Sequence, residues 1–516
     1  MTPRLRVTPT PDYGPPPEPR VRMPAFAMMR RLEIALVASL VASVACGGFE
    51  TTTSPDDPQP DAPMNLCGDV TATGTCLGNE LVRCVDNALA TETCAAACIT
   101  EGNTPRCIGP EVCSGVGPLG RCDGDVLWRC DGAPALTDCA AANQVCGYRD
   151  DIAGYACVDP ASVGSHRVAG TITWEDRALS PGSLADPVVK PARGVMVAVV
   201  DDATNALLAT VSAADDGSYV AHYTASGMVR IVTYSRSRSD ARPARVRDTS
   251  GYLHAVGVAP FAAGARATVD IMVGATSTAS GAWNALDNAV TAMDWLRAHG
   301  VATISPVYIY WQQATASGSY YQGANNELHL DGDDGFDDVV ALHELGHYVQ
   351  DEYSDSDNPG GAHDGSPADP RLAWGEGGAT WFAIAVREQP YYIDWSTGGG
   401  WSVELEDRVH AASLTSAMSQ NVSEWMVAEV MWDMTDPASG DADSVDGSAS
   451  RVWNVLVGYL TSPARVDRGR AGLDLVEFLD GWFQHDGMMT CGPMRALVRD
   501  KYSFPYDFAG PAGACP

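Results

Sequence analysis

Lysine is almost absent from the 516-residue chain, which contains only Lys190 and Lys501. Lysine and arginine together number 33 against 65 aspartates and glutamates, so the formal net charge is −32. Nucleic-acid binding requires clustered basic side chains that neutralise phosphates, and this composition therefore argues against a nucleic-acid partner. The acidic residues are spread along the chain rather than gathered in blocks, which favours a role in solubility.

The N-terminal region lacks an apolar run long enough to span a bilayer. Residues 34–45 form an apolar stretch of twelve residues behind Arg30 and Arg31, which is typical of a signal peptide. Residues 43–46 resemble a bacterial lipobox, in which Cys46 becomes the lipidated N-terminus, although Ser43 replaces the usual Leu, Val or Ile. Ordinary signal-peptide cleavage after residues 42–45 is the alternative.

We therefore predict an N-terminal extension and lipoprotein-type signal peptide over residues 1–46 and a flexible linker over residues 47–66. The expected location is the bacterial outer membrane or cell surface, or the medium if the protein is simply secreted. Contact with a membrane is expected only through a lipid on Cys46.

Fifteen cysteines, most of them between residues 67 and 157, indicate an oxidising compartment. Their spacing repeats, and residues 74–84 align with residues 120–130, so residues 67–110 and 111–160 are predicted to be two six-cysteine modules. Modules this small need disulfides to be stable. Zinc binding by the cysteines is the alternative, but the modules contain no C-x-x-C pairs of the kind that zinc sites use. The sequence does not choose among the pairings. We expect a spacing or adhesion role here, and a separate disulfide between Cys491 and Cys515.

Residues 165–275 alternate period-2 strands with turns, which predicts an all-β sandwich. The turn at residues 215–217 is expected to close a hairpin. Residues 210–219 resemble the T-x-x-D-G-x-Y signature of carboxypeptidase-regulatory-like, transthyretin-type sandwiches. This resemblance implies a folding or spacer role, with ligand binding as the alternative.

Residues 339–348 contain the pattern H-E-x-x-H. On a helix, residues four apart lie one above the other, so His343 and His347 present both imidazoles to one point. Two neutral imidazoles suit Zn²⁺, and Glu344, about 100° round the helix, is placed to act on a metal-bound water rather than to bind the metal. A surface helix with satisfied histidines is the alternative.

A second predicted helix, over residues 372–385, carries Glu376 away from its apolar stripe. Gly377 and Gly378 each cost about 1 kcal/mol within a helix, so they indicate close approach of a neighbour, for which the histidine helix is the obvious candidate. A carboxylate from this helix would complete a His₂Glu site with an open fourth position; a solvated carboxylate is the alternative. His363, in a glycine-rich loop, is the rival third ligand, or else a donor to the oxyanion.

The segments H-E-L-G-H-Y-V-Q and E-G-G-A-T-W-F-A resemble those of the gluzincins, the thermolysin-like clan of zinc metallopeptidases, and the resemblance covers residues 276–516. It implies one catalytic Zn²⁺ held by His343, His347 and Glu376, with Glu344 as general base. The family's aspartate that orients a ligand histidine is replaced by Thr380, so that role must fall elsewhere or be weakened. The segment at 431–433 echoes the L-W-D common in relatives and makes Asp433 a candidate for supporting a ligand, with a surface carboxylate at the end of a helix as the alternative. A metzincin is excluded, because its third histidine position is Tyr353.

The acidic residues at 331–335 form a second candidate metal site, for Ca²⁺, although the full EF-hand loop is missing and a metal-free acidic turn is the alternative. Residues 307–311 and 327–330 are predicted strands. An exposed strand beside the zinc helix would hold an extended peptide by main-chain hydrogen bonds.

These features together predict a multidomain fold. An α+β zincin-like metallopeptidase domain at 276–516 follows an all-β sandwich and a disulfide-rich tandem module. The predicted function is that of an exported zinc metallopeptidase, which hydrolyses a protein or peptide substrate through a zinc-activated water with Glu344 as general base. The alternative is a cell-surface binding or adhesion lipoprotein with an inactive metallopeptidase-like domain. A missing ligand or base would favour that alternative, and neither is missing.

Overall fold

The computed structural model describes residues 70–77, 80–85, 88–93, 97–101, 104–108, 116–117, 119–130, 134–180, 183–313, 318–396, 399–406, 410, 414–436, 445, 447–486, 490–510 and 515. Strands outnumber helices in this part of the chain, and the longer helices all begin after residue 279. The predicted signal peptide and lipid site at Cys46 lie outside the described residues. Within them, no helix combines the length and the apolar character needed to cross a membrane.

The described strands of the two predicted cysteine modules pair in the same pattern. Each has a three-stranded antiparallel sheet and a separate hairpin, and two cysteines are paired in the backbone register of each hairpin, Cys98 with Cys107 and Cys146 with Cys157. The strands are β1 Thr75–Leu77, β2 Glu80–Val85, β3 Ala88–Thr93, β4 Ala97–Glu101 and β5 Thr104–Ile108, then β6 Arg121–Asp123, β7 Val126–Cys130, β8 Pro134–Asp138, β9 Val145–Arg149 and β10 Gly154–Val158.

Two disulfides stabilise the second module, and their cysteine pairing could not be predicted from the sequence. Cys122 bonds to Cys146 and Cys139 to Cys157. The disulfide predicted between Cys491 and Cys515 is also present. Tyr155 then joins the module to the next unit, because its buried hydroxyl donates to the Ser212 carbonyl oxygen at 2.7 Å.

Two layers of strands follow the modules. The strands are β11 His166–Asp176, β12 Leu179–Ser180, β13 Ser183–Leu184, β14 Val188–Pro191, β15 Val195–Asp201, β16 Leu207–Ser212, β17 Ser218–Tyr223, β18 Met228–Ser237, β19 Ala244–Arg247, β20 Ala255–Gly257, β21 Phe261–Ala262, β22 Arg266–Thr268 and β23 Ile271–Val273. One sheet centres on β11, which pairs with β14, β17, β22 and β23, while the other contains β15, β16, β18, β20 and β21.

The hairpin predicted at residues 215–217 is wrong in one respect. The flanking strands β16 and β17 belong to different sheets, so this turn passes the chain from one layer to the other. Gly217 has φ +78°, and a Cβ there would lie 2.3 Å from the Ile172 carbonyl oxygen. The D-G pattern therefore marks a tight turn without specifying which strands it connects.

The second layer continues into the C-terminal region as one nine-stranded sheet. The added strands are β24 Val307–Gln313, β25 Tyr320–Gln322 and β26 Glu327–Asp331. Strand β19 pairs in parallel with β24, and the order across the sheet is β16-β15-β18-β19-β24-β26-β25. A separate hairpin is formed by β27 Tyr391–Ser396 and β28 Gly399–Glu404. The predicted sandwich at 165–275 and the predicted domain at 276–516 thus share a sheet.

Helices cover the inner face of this sheet and form a mainly apolar core beside it. They are α1 Ser280–Ala298, α2 Asp338–Tyr353, α3 Pro370–Arg387, α4 Glu424–Asp433, α5 Ala449–Asn454, α6 Leu475–Asp486 and α7 Cys491–Met494. Helix α2 packs on α3, and α3 packs on α4. The side chains of Asp337, Asp369 and Ser423 accept backbone N–H groups at the starts of α2, α3 and α4, as N-caps do.

A buried ion network joins α1 to the sandwich layer. Arg242, only 4% exposed in its side chain, contacts Asp215, and its Nε donates to Asp294 of α1 at 2.7 Å. Removing the cation would leave Asp215 buried without its charge partner.

We expect Arg242→Met to lower the free energy of unfolding by about 3–5 kcal/mol, as breakage of buried ion pairs does. The matched control is Arg230→Met, which removes a partly exposed pair with Asp202 and should cost less than about 1 kcal/mol. Urea unfolding of both variants measures the difference. Equal destabilisation would show that the Arg242 network does not hold α1 to the sandwich.

Candidate metal centre

Three side chains from two neighbouring helices converge on one point. Helix α2 supplies His343 and His347, and α3 supplies Glu376. The Glu376 Oε2 atom lies 3.3 Å from His343 Nε2 and 3.1 Å from His347 Nε2. One ligand atom from each residue lies within 4.8 Å of those from the other two, so the three could hold a single ion.

Close contact between α2 and α3 makes this convergence possible. A Cβ added at Gly346 would lie 2.7 Å from both Cα and the carbonyl oxygen of Ala379, so only glycine fits at that position of α2. The close approach to α2 predicted for Gly377 and Gly378 holds for one of the two. Gly378 does face Gln350 of α2, but Gly377 faces Val427 of α4.

Burial makes the electrostatics of the cluster strong. His343, Glu344 and Glu376 are 6%, 6% and 7% exposed. Burial alone would raise the pKa of Glu376, but His347 and His343 hold that pKa far below its usual range. Burial alone would lower the pKa of His347, whereas the Glu376 carboxylate raises it to about 9. Burial raises the pKa of Glu344, which strengthens it as a proton acceptor.

Thr380 occupies the position where the gluzincin resemblance leads one to expect an aspartate. Its Oγ1 lies 3.1 Å from His343 Nδ1, so the orienting contact has not moved elsewhere and is made by a hydroxyl. A hydroxyl fixes the ring but lacks the charge that a carboxylate would use to raise the basicity of the histidine. Asn358, which the sequence analysis missed, donates from Nδ2 to Glu376 Oε1 at 2.9 Å.

His363 also reaches the centre, from the loop between α2 and α3. Its Nε2 lies 3.5 Å from Glu376 Oε2, and its Nδ1 lies 2.9 Å from Glu424 Oε2 on α4. The contact with Glu424 raises the pKa of His363. Its side chain is 38% exposed, against 16% or less for the other three. The sequence did not identify Glu424 as a site residue, because its proximity to His363 depends on how α4 packs.

The donor set fits a divalent cation. The Nε2 atoms of His343 and His347 both face the same Glu376 oxygen, so one ion could contact all three side chains. Two imidazoles with one carboxylate are the donor set of catalytic zinc.

Asp433 does not take the role expected for it. Its Oδ2 accepts from Lys501 Nζ at 2.7 Å and from the Tyr502 hydroxyl at 2.8 Å. The side chain is fully buried at the end of α4, so these contacts fix how the C-terminal segment packs on that helix. The L-W-D echo therefore marks a structural ion pair here rather than support for a histidine.

The acidic turn predicted as a Ca²⁺ site contributes one residue to a carboxylate cluster. Asp334 joins Asp337 and Asp394, with oxygens within 4.8 Å of one another. Both oxygens of Asp337 already accept backbone N–H groups, from Val339 and Val340 on one side and Trp395 on the other. Burial raises the pKa of Asp334 to about 7. Capping of α2 accounts for Asp337, and Ca²⁺ binding stays a prediction.

A cleft of about 450 Å³ opens over the centre. Glu344, His347, His363 and Glu376 lie along it, and so do residues 319–321 at the edge strand β25. Aromatic rings border the centre on another side. Tyr392 packs 5.7 Å from the His343 ring, and Trp401, which is 48% exposed, stacks 5.5 Å from Tyr392.

Comparison with known proteins supports a relation to zinc metallopeptidases at a coarse level. The family model that matches is the mycolysin C-terminal domain, over residues 290–475, a segment that contains both α2 and α3. No curated protein matches the chain.

Among solved structures, a 9R-lipoxygenase from Cyanothece is 8% identical and aligns with 28% of this chain. The match spans 25% of the lipoxygenase, and the TM-score is 0.14, too low to support an argument about fold or function.

We expect Thr380→Val to weaken zinc binding by about 10–100-fold, because it removes the hydroxyl that orients His343 at nearly constant volume. Thr380→Ser keeps the hydroxyl and is the matched control. Competition of each variant against a chromophoric chelator measures the affinities. A Val variant that binds zinc as tightly as the Ser variant would show that this hydrogen bond does not support the ligand.

Proposed function

We propose that this chain is an exported zinc metallopeptidase that hydrolyses peptide bonds. The observation that carries the proposal is the convergence of His343, His347 and Glu376 beside a cleft that Glu344, His347 and Glu376 line. The coarse relation to zinc metallopeptidases agrees with it. The disulfides of the N-terminal part support export, and lipidation at Cys46 is part of the proposal.

His343, His347 and Glu376 would hold the ion, with the Thr380 and Asn358 contacts keeping the first and last in place. Zn²⁺ in such a site supplies Lewis acidity, which polarises a carbonyl group and lowers the pKa of water toward ~7. The carboxylate of Glu344 accepts a proton from the attacking water and passes it to the leaving amine. Its raised pKa matches this dual task, because the group must both take and release a proton.

His363 is placed to donate to the oxygen that becomes negative during the attack. Glu424 holds its Nδ1, so the imidazole presents Nε2 to the centre, and the protonated form that the raised pKa favours is a donor there. Because its side chain is the most exposed of the cluster, it lies where a substrate enters.

The substrate is expected to lie along β25, the edge strand of the large sheet. An edge strand has unpaired backbone N–H and C=O groups, and an extended peptide can add to them as a further strand. Tyr392 and Trp401 provide apolar surface beside the centre for a side chain of that peptide.

We expect Glu344→Gln to retain one zinc ion per chain and to lose peptide hydrolysis by ~10²–10⁴-fold, since the amide cannot accept the proton. Glu352→Gln makes the same change at an exposed position of the same helix and should leave turnover intact. Elemental analysis and a fluorogenic-peptide assay measure the two quantities. Full activity of Glu344→Gln would remove Glu344 from the mechanism.

Zinc titration of Glu376→Ala and His363→Ala tests the choice of third ligand. Glu376 lies on a rigid helix against both histidines, so its loss should abolish most of the zinc affinity. His363→Ala should keep the metal and slow turnover. If instead His363→Ala loses zinc and Glu376→Ala keeps it, the His₂Glu assignment is wrong.

A further inference from the structure

Three arginines lie together on the outer face of the nine-stranded sheet. Arg236 belongs to β18, and Arg245 lies directly opposite it on β19, two residues before Arg247. The alternate residues of β19, Ala244 and Val246, are buried on the face that α1 covers, so the arginines lie on the opposite face. Each is half-buried.

No carboxylate in the described part of the chain forms an ion pair with any of the three. Their neighbours differ in this respect, since Arg230 pairs with Asp202 at 3.0 Å and Arg238 with Asp150 at 2.8 Å. Like charges directly opposite each other on paired strands are destabilising. Burial and the positive charges of Arg245, Arg238 and Arg247 lower the pKa of Arg236.

The guanidinium groups of Arg245 and Arg247 are held in place by aromatic rings. Their central carbons lie 4.8 and 5.4 Å from the centre of the Tyr308 ring, and Arg247 Nη1 donates to the Tyr310 hydroxyl at 3.3 Å. Cation–π contacts of this kind fix the planes of the groups and leave most N–H donors free for another acceptor. Preorganised donors bind with a smaller entropy loss.

A shallow cleft of about 410 Å³ adjoins these groups and is lined by Arg245, Arg247, Tyr308, Asn325 and Glu327. Glu327 is the one carboxylate of that lining, and its Oε2 lies 3.6 Å from His329 Nε2. Positive charge therefore exceeds negative charge locally, in a chain whose net charge is −32.

We propose that Arg236, Arg245 and Arg247 bind a small tetrahedral oxyanion, such as phosphate or sulfate, on the outer face of the sheet. Guanidinium groups bind such anions through paired N–H donors. The net charge of the chain repels polyanions and anionic surfaces at long range, so a small anion is the better partner. The site is separate from the metal centre, whose ligands lie on α2 and α3.

Isothermal titration with inorganic phosphate and with sulfate, at constant ionic strength, tests the proposal on the full chain. The wild type should bind one anion and unfold at a higher temperature in phosphate than in chloride. Arg245→Gln should lower the affinity about tenfold or more, because charge-assisted hydrogen bonds are lost. It should not lower stability in chloride, since it removes the like-charge pair with Arg236.

The matched control is Arg230→Gln, which removes the same charge from the same sheet at a position already paired with Asp202 and should keep full affinity. Arg247→Gln repeats the test if Arg245→Gln does not fold. Absence of binding by the wild type, or equal loss in the control, would overturn the proposal. Binding to phosphatidylglycerol vesicles but not to free phosphate would do so too, by pointing to a lipid headgroup.

Discussion

The contact between Gly346 and Ala379 determines the geometry of the metal centre. Gly346 follows His343 by three residues and directly precedes His347, while Ala379 has the same relation to Glu376 and Thr380. Residues three apart share a helix face, so the point where the backbones touch lies on the faces that carry all four side chains. A larger residue at position 346 would push α3 away and separate the carboxylate from both imidazoles.

This contact is in turn supported by the start of α2. Asp337 caps the helix and also accepts the backbone N–H of Trp395 from β27. Asn284 and Asn288 of α1 donate to Asp338, one residue further on. Since Arg242 holds α1 to the sandwich layer, the sandwich is connected through α1 to the helix that carries the histidines. The parallel pairing of β19 with β24 is a second connection between the sandwich layer and the C-terminal region.

The sequence predicted those parts of the centre that depend on local spacing. His343 and His347 follow from the helical period alone, and Glu376 from a second helix nearby. Asn358 and Glu424 acquire their roles only when separate segments pack together, which a local pattern cannot encode, whereas Thr380 is marked by its position in the family motif.

Dependence on contacts between distant segments also explains the two predictions that were wrong, the hairpin at residues 215–217 and the role of Asp433. The turn before β17 has the expected residues, yet the partners of its strands are chosen by the two layers. The segment around Asp433 matched a family pattern, but Lys501 and Tyr502, distant in sequence, decide what the carboxylate does.

Net charge is a poor guide to what this protein binds, because the candidate metal centre binds a cation and the proposed arginine site binds an anion. Around Glu376 Oε2 the fold concentrates imidazole nitrogens and carboxylates, which are ligands for cations. On the outer face of the sheet it concentrates guanidinium groups, which are donors only. A chain with a surplus of 32 negative charges has enough carboxylates to neutralise three arginines, so their lack of carboxylate partners within the described residues is a feature of the fold rather than of composition.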